Sequence, residues 1–144
     1  MKVMVIVKAS AASEAGEMPS AEMFAAMDKF NEELINAGIM LDGTGLTPSS
    51  RGARVRFSGS NRTVTDGPFP ETKELIAGFM IWKVSSLQEA IDWVKKFPNC
   101  STEDSDVEIR PFIEPEDLAA VIDPAVPEQE SRLKVRARMI NWTP

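Results

Sequence analysis

The side chains most able to do chemistry in this sequence lie in one short polar segment, Thr65 to Glu74. A carboxylate, Asp66, stands directly before Gly67 and Pro68, and Lys73 follows in the same segment. A carboxylate can act as a general base, and a lysine can stabilise the oxyanion that develops when a proton is removed. The order Asp-Gly-Pro is equally typical of a tight turn, in which the carboxylate accepts hydrogen bonds from nearby backbone N–H groups. The sequence alone leaves both roles open for Asp66.

The sequence contains no histidine and no tyrosine. These absences exclude a Ser-His-Asp triad, a Cys-His pair, an imidazole metal site and a phenolic acid. Proton transfer would have to use a carboxylate, a lysine or Cys100, and Cys100 has no base near it in the sequence that would activate its thiol. No spacing resembles a metal site, and Gly43-Thr44-Gly45 does not open a helix as a nucleotide fingerprint would. We therefore predict neither a metal nor a cofactor.

Length, charge and composition limit the class of protein. With 144 residues, of which 43% are hydrophobic, the chain fits one soluble globular domain. Its formal net charge of −6 disfavours a nucleic-acid partner, because binding phosphates needs a concentrated basic surface. The N-terminal apolar run is too short for a signal peptide, and no run is long enough to span a membrane. The single cysteine fits a reducing compartment, so we expect a cytoplasmic location.

Hydrophobic periodicity predicts the elements that position the polar segment. Runs that are apolar on both faces, such as Lys2–Lys8 and Ile76–Val84, predict interior strands. Apolar residues at helical spacing predict a helix from Ser20 to Gly38, and Ser86 with Glu89 has the spacing of a capping box that begins a second helix. The first helical stripe consists of Met23, Met27, Phe30 and Leu34, with Phe24 and Ile35 alongside. The predicted strands are 2–8, 39–46, 53–58, 63–65, 76–84 and 107–113, and residues 9–18 are predicted to form a loop.

The order of these elements, β-α-β-β-β-α-β, predicts an α+β fold with a ferredoxin-like split βαβ unit and a lengthened central hairpin. Two helices can cover only one face of its sheet. Because Lys2–Lys8 and Ile76–Val84 are apolar on both faces, the second face needs a cover, and a second copy of the chain is the most economical one. The sequence therefore predicts a homodimer. Within the sheet, the run Asp42-Gly43-Thr44-Gly45 predicts a bulge or a close backbone approach, and Pro111 predicts an edge strand or a strand end.

The run Thr65-Asp66-Gly67-Pro68-Phe69, followed by Glu71-Thr72-Lys73-Glu74 and Gly78-Phe79, resembles the signature of the YCII-related proteins of the Asp-Gly-Pro-Phe type. The resemblance covers residues 1–113, which we take as one α+β domain, and leaves residues 114–144 as a C-terminal extension. It implies a dimeric α+β barrel, in which two sheets pack face to face and leave clefts between the layers for a small-molecule ligand. It also implies a sigma factor as a regulatory partner, because domains resembling this one occur beside alternative sigma factors in bacteria.

The sequence departs from the family pattern at one pair of positions. A His-Asp pair is the proposed active dyad of YCII-like proteins. The histidine position, in the run from Pro19 to Phe24, holds Glu22 here, and the aspartate position before Gly38 holds Asn36 or Ala37. The resemblance therefore does not carry that chemistry to this chain.

The candidate site is the corner around Asp66 with the strands that lead into it. Asp66 is the catalytic candidate. Four arginines, at positions 51, 54, 56 and 62, cluster around this corner in the sequence and either form an anion site or solvate exposed strand faces. The candidate ligand-binding residues are Arg56, Thr65, Asp66, Pro68, Phe69, Glu71, Lys73 and Glu74.

Two functional hypotheses follow from this corner. The first is an enzyme of isomerase or lyase type, with Asp66 as general base, which requires burial to raise the pKa of that carboxyl. The second is a non-catalytic binding or regulatory module, which we favour because the missing histidine and tyrosine leave few catalytic groups. A pocket that contains Asp66, Lys73 and Glu74 would favour the enzyme. An Asp66 carboxylate bonded only to backbone would favour the module.

The C-terminal extension supports two interpretations of residues 127–139. Glu128 and Arg132, like Glu130 and Lys134, have the spacing of helical ion pairs. Apolar and basic residues nevertheless alternate from Arg132 onwards, which is typical of a strand. The family resemblance favours the helix. Its basic end would contact an acidic partner or the second subunit, or remain solvated.

Overall fold

The computed structural model describes residues 1–99 and 101–118 of the chain. Its main sheet has four strands, β1 (Lys2–Lys8), β2 (Met40–Gly45), β5 (Ile76–Lys83) and β6 (Val107–Pro111), and a separate two-stranded sheet contains β3 (Ala53–Ser58) and β4 (Asn61–Asp66). The helices are α1 (Ala11–Glu14), α2 (Ala21–Asn36), α3 (Leu87–Val94) and α4 (Pro115–Leu118), and short 3₁₀ turns cover Ser49–Arg51 and Thr72–Glu74.

The main sheet has the strand order β2-β5-β1-β6, and every neighbouring pair is antiparallel. β1 and β2, joined through α2, run in the same direction with β5 between them, which is the split βαβ arrangement of a ferredoxin-like fold. The predicted α+β fold class is confirmed, and so are the interior position of β1 and the edge position of β6, which ends at Pro111. Among the described strands, the two strands of the lengthened hairpin pair only with each other.

One face of the sheet packs against the helices and forms the core. Val3, Val5 and Trp82 lie on this face and are fully buried, together with Leu34 of α2. The ring of Phe30 joins the layers, because its centroid lies 6.4 Å from that of Trp82 and 5.5 Å from that of Phe97. Such aromatic contacts add to the free energy gained from the buried apolar area. In the stripe predicted for α2, the residues of the C-terminal half, Phe30 and Leu34, therefore pack in the core.

The other face of the sheet has no helix on it among the described residues. Strand alternation places Met4 and Ile6 of β1 there, and the register pairs them with Ile81 and Phe79 of β5. Ile6 is nearly buried, whereas Met4, Phe79 and Ile81 are only half-buried. We call these four residues the open sheet face.

Three local predictions are corrected or refined. Residues 9–18 contain a helical turn, α1, because Ser10 and Ser13 cap it reciprocally through their hydroxyls and backbone N–H groups. Periodicity gave no signal there because the turn has no buried residue. Phe24 and Ile35, predicted beside the core stripe of α2, are 62% and 61% exposed. The predicted bulge lies between Met40 and Asp42, and Gly43 has the close approach, since a Cβ there would lie 2.8 Å from the Met40 methyl group.

A second compact unit, Phe112–Pro144, follows the first, Met1–Pro111. In its described part, the Asp117 carboxylate accepts a hydrogen bond from the Glu114 N–H group, 2.9 Å away, at the start of α4. The helix or strand predicted for residues 127–139 lies outside the described residues. The predicted domain division between residues 113 and 114 stays a prediction.

Ser86 caps α3 as predicted, by accepting a hydrogen bond from the Glu89 N–H group at 3.1 Å. The Glu89 carboxylate, however, accepts hydrogen bonds from Ser85, one residue before the cap. The Ser85 hydroxyl lies 2.7 Å away and the Ser85 N–H group 2.6 Å away. These two bonds, the hydroxyl bond first, lower the pKa of Glu89 below its ordinary value of 4.5. A carboxyl whose pKa is lower in the folded chain stabilises the fold above its unfolded pKa and loses that contribution as the pH falls through the lowered value.

We expect Ser85→Ala to raise the pKa of Glu89 towards its ordinary value, because the hydroxyl bond is the larger cause of the shift. Carboxyl NMR titration measures this change directly. Urea unfolding should show a loss of stability at pH 7 that disappears at a pH below the lowered pKa. Ser86→Ala is the control, because losing the cap should cost about 1 kcal/mol at both pH values. An unchanged titration of Glu89 in Ser85→Ala would contradict this assignment.

Candidate functional site

The candidate site is built where the β3–β4 hairpin returns to the main sheet. The chain leaves β4 at Asp66, passes through a cis Gly67–Pro68 peptide bond and reaches β5 after the 3₁₀ turn Thr72–Glu74. The Gly67 N–H group donates a hydrogen bond to the Gly52 carbonyl oxygen, 3.0 Å away. Gly67 also lies so close to Ser49 that a Cβ at this position would overlap the Ser49 carbonyl group. Only glycine fits here without moving one of the two segments.

Ser49 is the hydrogen-bonding centre of the site. Its hydroxyl accepts a hydrogen bond from the Phe69 N–H group at 3.0 Å and donates one to the Glu14 carboxylate. Its own N–H group donates a second bond to Glu14, at 3.0 Å. Partly buried hydrogen bonds to a carboxylate are among the stronger ones in proteins. Ser49 therefore ties α1, the Ser49–Arg51 turn and the corner at Phe69 into one unit.

An open pocket of about 370 Å³ lies against this unit. Apolar side chains form most of its wall, and its two charged residues, Glu14 and Glu74, are both acidic. No lining residue is basic. The lining residues are Glu14, Leu46, Thr47, Pro48, Ser49, Gly52, Phe69, Glu74, Leu75 and Ile76.

Two of the predicted site residues line this pocket, and the others lie in the corner segment or on the hairpin. Phe69 and Glu74 line the pocket. Pro68 and Lys73 are exposed and are not part of its lining, and Glu71 forms an ion pair with Arg54 at 3.2 Å. Arg56, Thr65 and Asp66 are exposed on the hairpin. The corner therefore contributes one aromatic and one acidic side chain, Phe69 and Glu74, to the pocket.

The Asp66 side chain does not cap the turn among the described residues, and its catalytic or ligand-binding role stays a prediction. Its side chain is exposed and makes no hydrogen bond or ion pair to residues 1–99 or 101–118. The backbone groups that a capping aspartate would bind are instead satisfied by the Ser49 hydroxyl and the Gly52 carbonyl oxygen. The turn therefore depends on long-range partners rather than on the Asp66 carboxylate.

The arginines do not converge on the corner. Arg54 stacks on Phe69, with its guanidinium carbon 3.8 Å from the ring centroid, while it pairs with Glu71. Both members of that ion pair are about half exposed, so the pair is worth at most about 1 kcal/mol. The register places Arg62 on the opposite face of the hairpin from Arg54 and Arg56. Of the two roles predicted for the arginines, solvation of strand faces fits this arrangement better than an anion site.

Sequence reasoning missed the two residues that organise the site, Glu14 and Ser49. Glu14 belongs to the segment that was predicted as a loop, and Ser49 belongs to the loop after β2. The Ser10 and Ser13 pair, at capping-box spacing, was the one signal that a helical turn presents Glu14. No local signal connects Glu14 to Ser49, because the two residues are 35 positions apart.

The described part of the chain contains neither a cluster of metal ligands nor a helix that could span a membrane. Its acidic side chains form no group of three or more that could hold a metal ion. None of its helices has the length and apolar composition needed to cross a membrane.

The sheet order and the two helices on one face define an α+β domain of the ferredoxin-like class. A family model described as the YCII-related domain matches residues 1–113. The chain therefore belongs to the YCII-related family, and the recognition of that family from the Thr65–Glu74 segment is confirmed.

Two similar proteins illustrate how far the likeness extends. An uncharacterised protein of Rhizobium meliloti (strain 1021) is 37% identical over 67 residues, which is 46% of this chain and 54% of that protein. The match thus spans about half the length of that relative. A solved structure, 5-chloro-2-hydroxyhydroquinone dehydrochlorinase (TftG) from Burkholderia phenoliruptrix AC1100 in complex with 2,5-dihydroxybenzoquinone, has 14% identity and a TM-score of 0.46 over 81% of this chain and 97% of that one.

Gly67→Ala tests the close packing at the corner. The new Cβ would overlap the Ser49 carbonyl group, so we expect a loss of about 1–3 kcal/mol in the free energy of unfolding. Urea unfolding measures the loss. Gly52→Ala is the matched control, because its Cβ would have only an ordinary 3.5 Å contact with the same carbonyl oxygen. Equal stabilities of the two variants would show that the corner can move away from Ser49 freely.

Proposed function

We propose that this chain is a small-molecule-binding module whose ligand occupies the pocket beside Ser49 and Phe69. The observation that carries this proposal is a concave, mostly apolar pocket whose wall is held in place by the Ser49 hydrogen bonds to Glu14 and Phe69. Binding sites for small molecules typically combine apolar walls with a few polar groups fixed by a surrounding network. Ser49 supplies that network here.

The lining favours a ligand with an apolar body and a hydrogen-bond donor or a positive charge. Leu46, Leu75 and Ile76 offer apolar surface. The Glu14 oxygens are already engaged by Ser49, whereas the Glu74 side chain has no hydrogen bond or ion pair to a described residue. Glu74 is therefore the acceptor that a donor group on the ligand would meet.

Catalysis by Asp66 is the alternative function, of isomerase or lyase type. A general base must come within hydrogen-bond reach of the proton that it removes. The Asp66 side chain makes no hydrogen bond or ion pair to a described residue, but it lies outside the lining of the pocket. This placement favours the binding module. Such a module would act on its own or through a partner, such as the sigma factor that the family resemblance implies.

We also propose that the module is a homodimer in which a second copy covers the open sheet face. Met4, Phe79 and Ile81 are half-buried on a face that no described helix covers. Lys2 and Lys83 lie opposite each other in the strand register at one end of this face, and Glu108 and Arg110 of β6 lie beside it. An apolar centre with a charged border is the composition that protein interfaces typically have.

A thermal-shift screen of small amines and neutral apolar compounds tests the binding site. A ligand at about one hundred times its Kd stabilises a protein by about 2.7 kcal/mol, which raises Tm by several degrees. We expect the shift in the wild type and in Asp66→Asn, and its loss in Leu46→Trp, where a larger side chain fills the pocket. Leu87→Trp, at a similarly exposed leucine on α3, is the control.

The screen also separates the two functions. A ligand that stabilises Leu46→Trp as much as the wild type would place the site elsewhere. A shift that vanishes in Asp66→Asn alone would place Asp66 against the ligand and favour the enzyme.

Ile81→Glu tests the homodimer. A glutamate on the open sheet face would be buried without a partner at the interface, so we expect the dimer Kd to rise more than 100-fold, by about 3 kcal/mol. Light scattering during size-exclusion chromatography measures the mass. Leu87→Glu, on the helix α3, should leave the mass unchanged. A wild type of monomeric mass at every concentration would contradict the proposed dimer.

A further inference from the structure

Within the described residues, the β3–β4 hairpin, Ala53–Asp66, belongs to no larger sheet. All six residues of each strand are exposed, and the two strands pair only with each other. An isolated two-stranded hairpin is at best marginally stable in water. A hairpin of this kind needs another surface against which it can bury apolar side chains.

One face of the hairpin offers such side chains. The register pairs Val55 with Val64 and Phe57 with Arg62, so all four residues lie on the same face. Val55, Val64 and Phe57 are 51%, 65% and 71% exposed. The guanidinium of Arg62 lies 4.4 Å from the ring centroid of Phe57. This face, which we call the arm face, is therefore an apolar patch with one cation in it.

The charge of the hairpin is opposite to that of the chain. Its three arginines and one aspartate give +2, whereas the whole chain carries −6 and the remainder therefore −8. The patch on the hairpin is thus complementary in charge to the rest of its own sequence. A surface that combines exposed apolar groups with negative charge would suit it best.

Helix α2 carries a surface of that kind. Phe24, Asp28 and Ile35 are spaced by four and seven residues, so they share one side of the helix, and both apolar residues are more than 60% exposed. The helix contains four acidic residues and one lysine. Asp28 forms no ion pair with a residue in the described ranges. We call these three residues the helix stripe.

We infer that the arm face of one copy docks on the helix stripe of a second copy, with Arg62 against Asp28. Both surfaces are exposed at the same time in one chain, so neither covers the other within it. The hairpin is long enough to lie along the helix stripe, because its six-residue strands extend about 20 Å and the twelve residues from Phe24 to Ile35 rise about 16 Å along the helix. In a symmetric pair of copies, each copy supplies one arm face and one helix stripe, so the same contact forms twice.

Charge exchange between Arg62 and Asp28 tests this contact. Arg62→Asp and Asp28→Arg each place like charges in contact when a variant associates with itself. We expect each to weaken self-association by about tenfold. An equimolar mixture of the two variants has opposite charges at both contacts, so it should regain the wild-type dissociation constant. Sedimentation velocity, run from concentrations at which the wild type is associated down to those at which it dissociates, gives each constant.

Two control variants make the same changes of charge on the opposite sides of the same elements. Arg56→Asp changes the other face of the hairpin, and Glu33→Arg changes the other side of α2. Both should associate as the wild type does. The inference is overturned if Arg62→Asp and Asp28→Arg associate as tightly as these controls, or if their mixture associates no better than either variant alone. A hairpin that binds a different protein would give that first result.

Discussion

The contact between Gly67 and Ser49 is the constraint on which the site depends. The absence of a side chain at Gly67 lets the corner lie against the Ser49 carbonyl group, and this approach brings the Phe69 N–H group within hydrogen-bond distance of the Ser49 hydroxyl. Ser49 then engages Glu14 through two further bonds. A side chain at Gly67 would separate these segments. The pocket wall and the base of the hairpin are thus positioned by one close backbone contact.

The chemistry available in the pocket follows from the side chains that this contact brings together. The lining is apolar and acidic and contains no basic residue. The Ser49 hydroxyl accepts a hydrogen bond from the Phe69 N–H group and donates one to the Glu14 carboxylate, so it joins two segments that form the pocket wall. These bonds give Ser49 a structural role in the site.

Two surfaces of the molecule have a common physical origin. A four-stranded sheet with two helices can bury only one of its faces, and a hairpin inserted beyond the end of the sheet has no layer to pack against. The uncovered face of the sheet leaves Met4, Phe79 and Ile81 half-buried, and the missing layer beside the hairpin leaves Phe57 and Val64 exposed. Under the two contacts proposed above, association of copies would cover both surfaces, because the free energy of burying apolar area does not depend on which chain supplies the cover.

The sequence by itself determined the elements and the family. Alternating and helical periodicities located all six strands and the helices α2 and α3, because those patterns come from the local geometry of one strand or one helix. The signature around Asp66 identified the family, whose model matches residues 1–113. Only the tertiary structure decided which residues form the site. Glu14 meets Ser49 across 35 positions, and the Phe69 N–H group meets it across 20, so no local pattern could show either contact. The same long-range contacts made the Asp66 carboxylate unnecessary for the turn, because hydrogen-bond partners are assigned by the path of the whole chain through space.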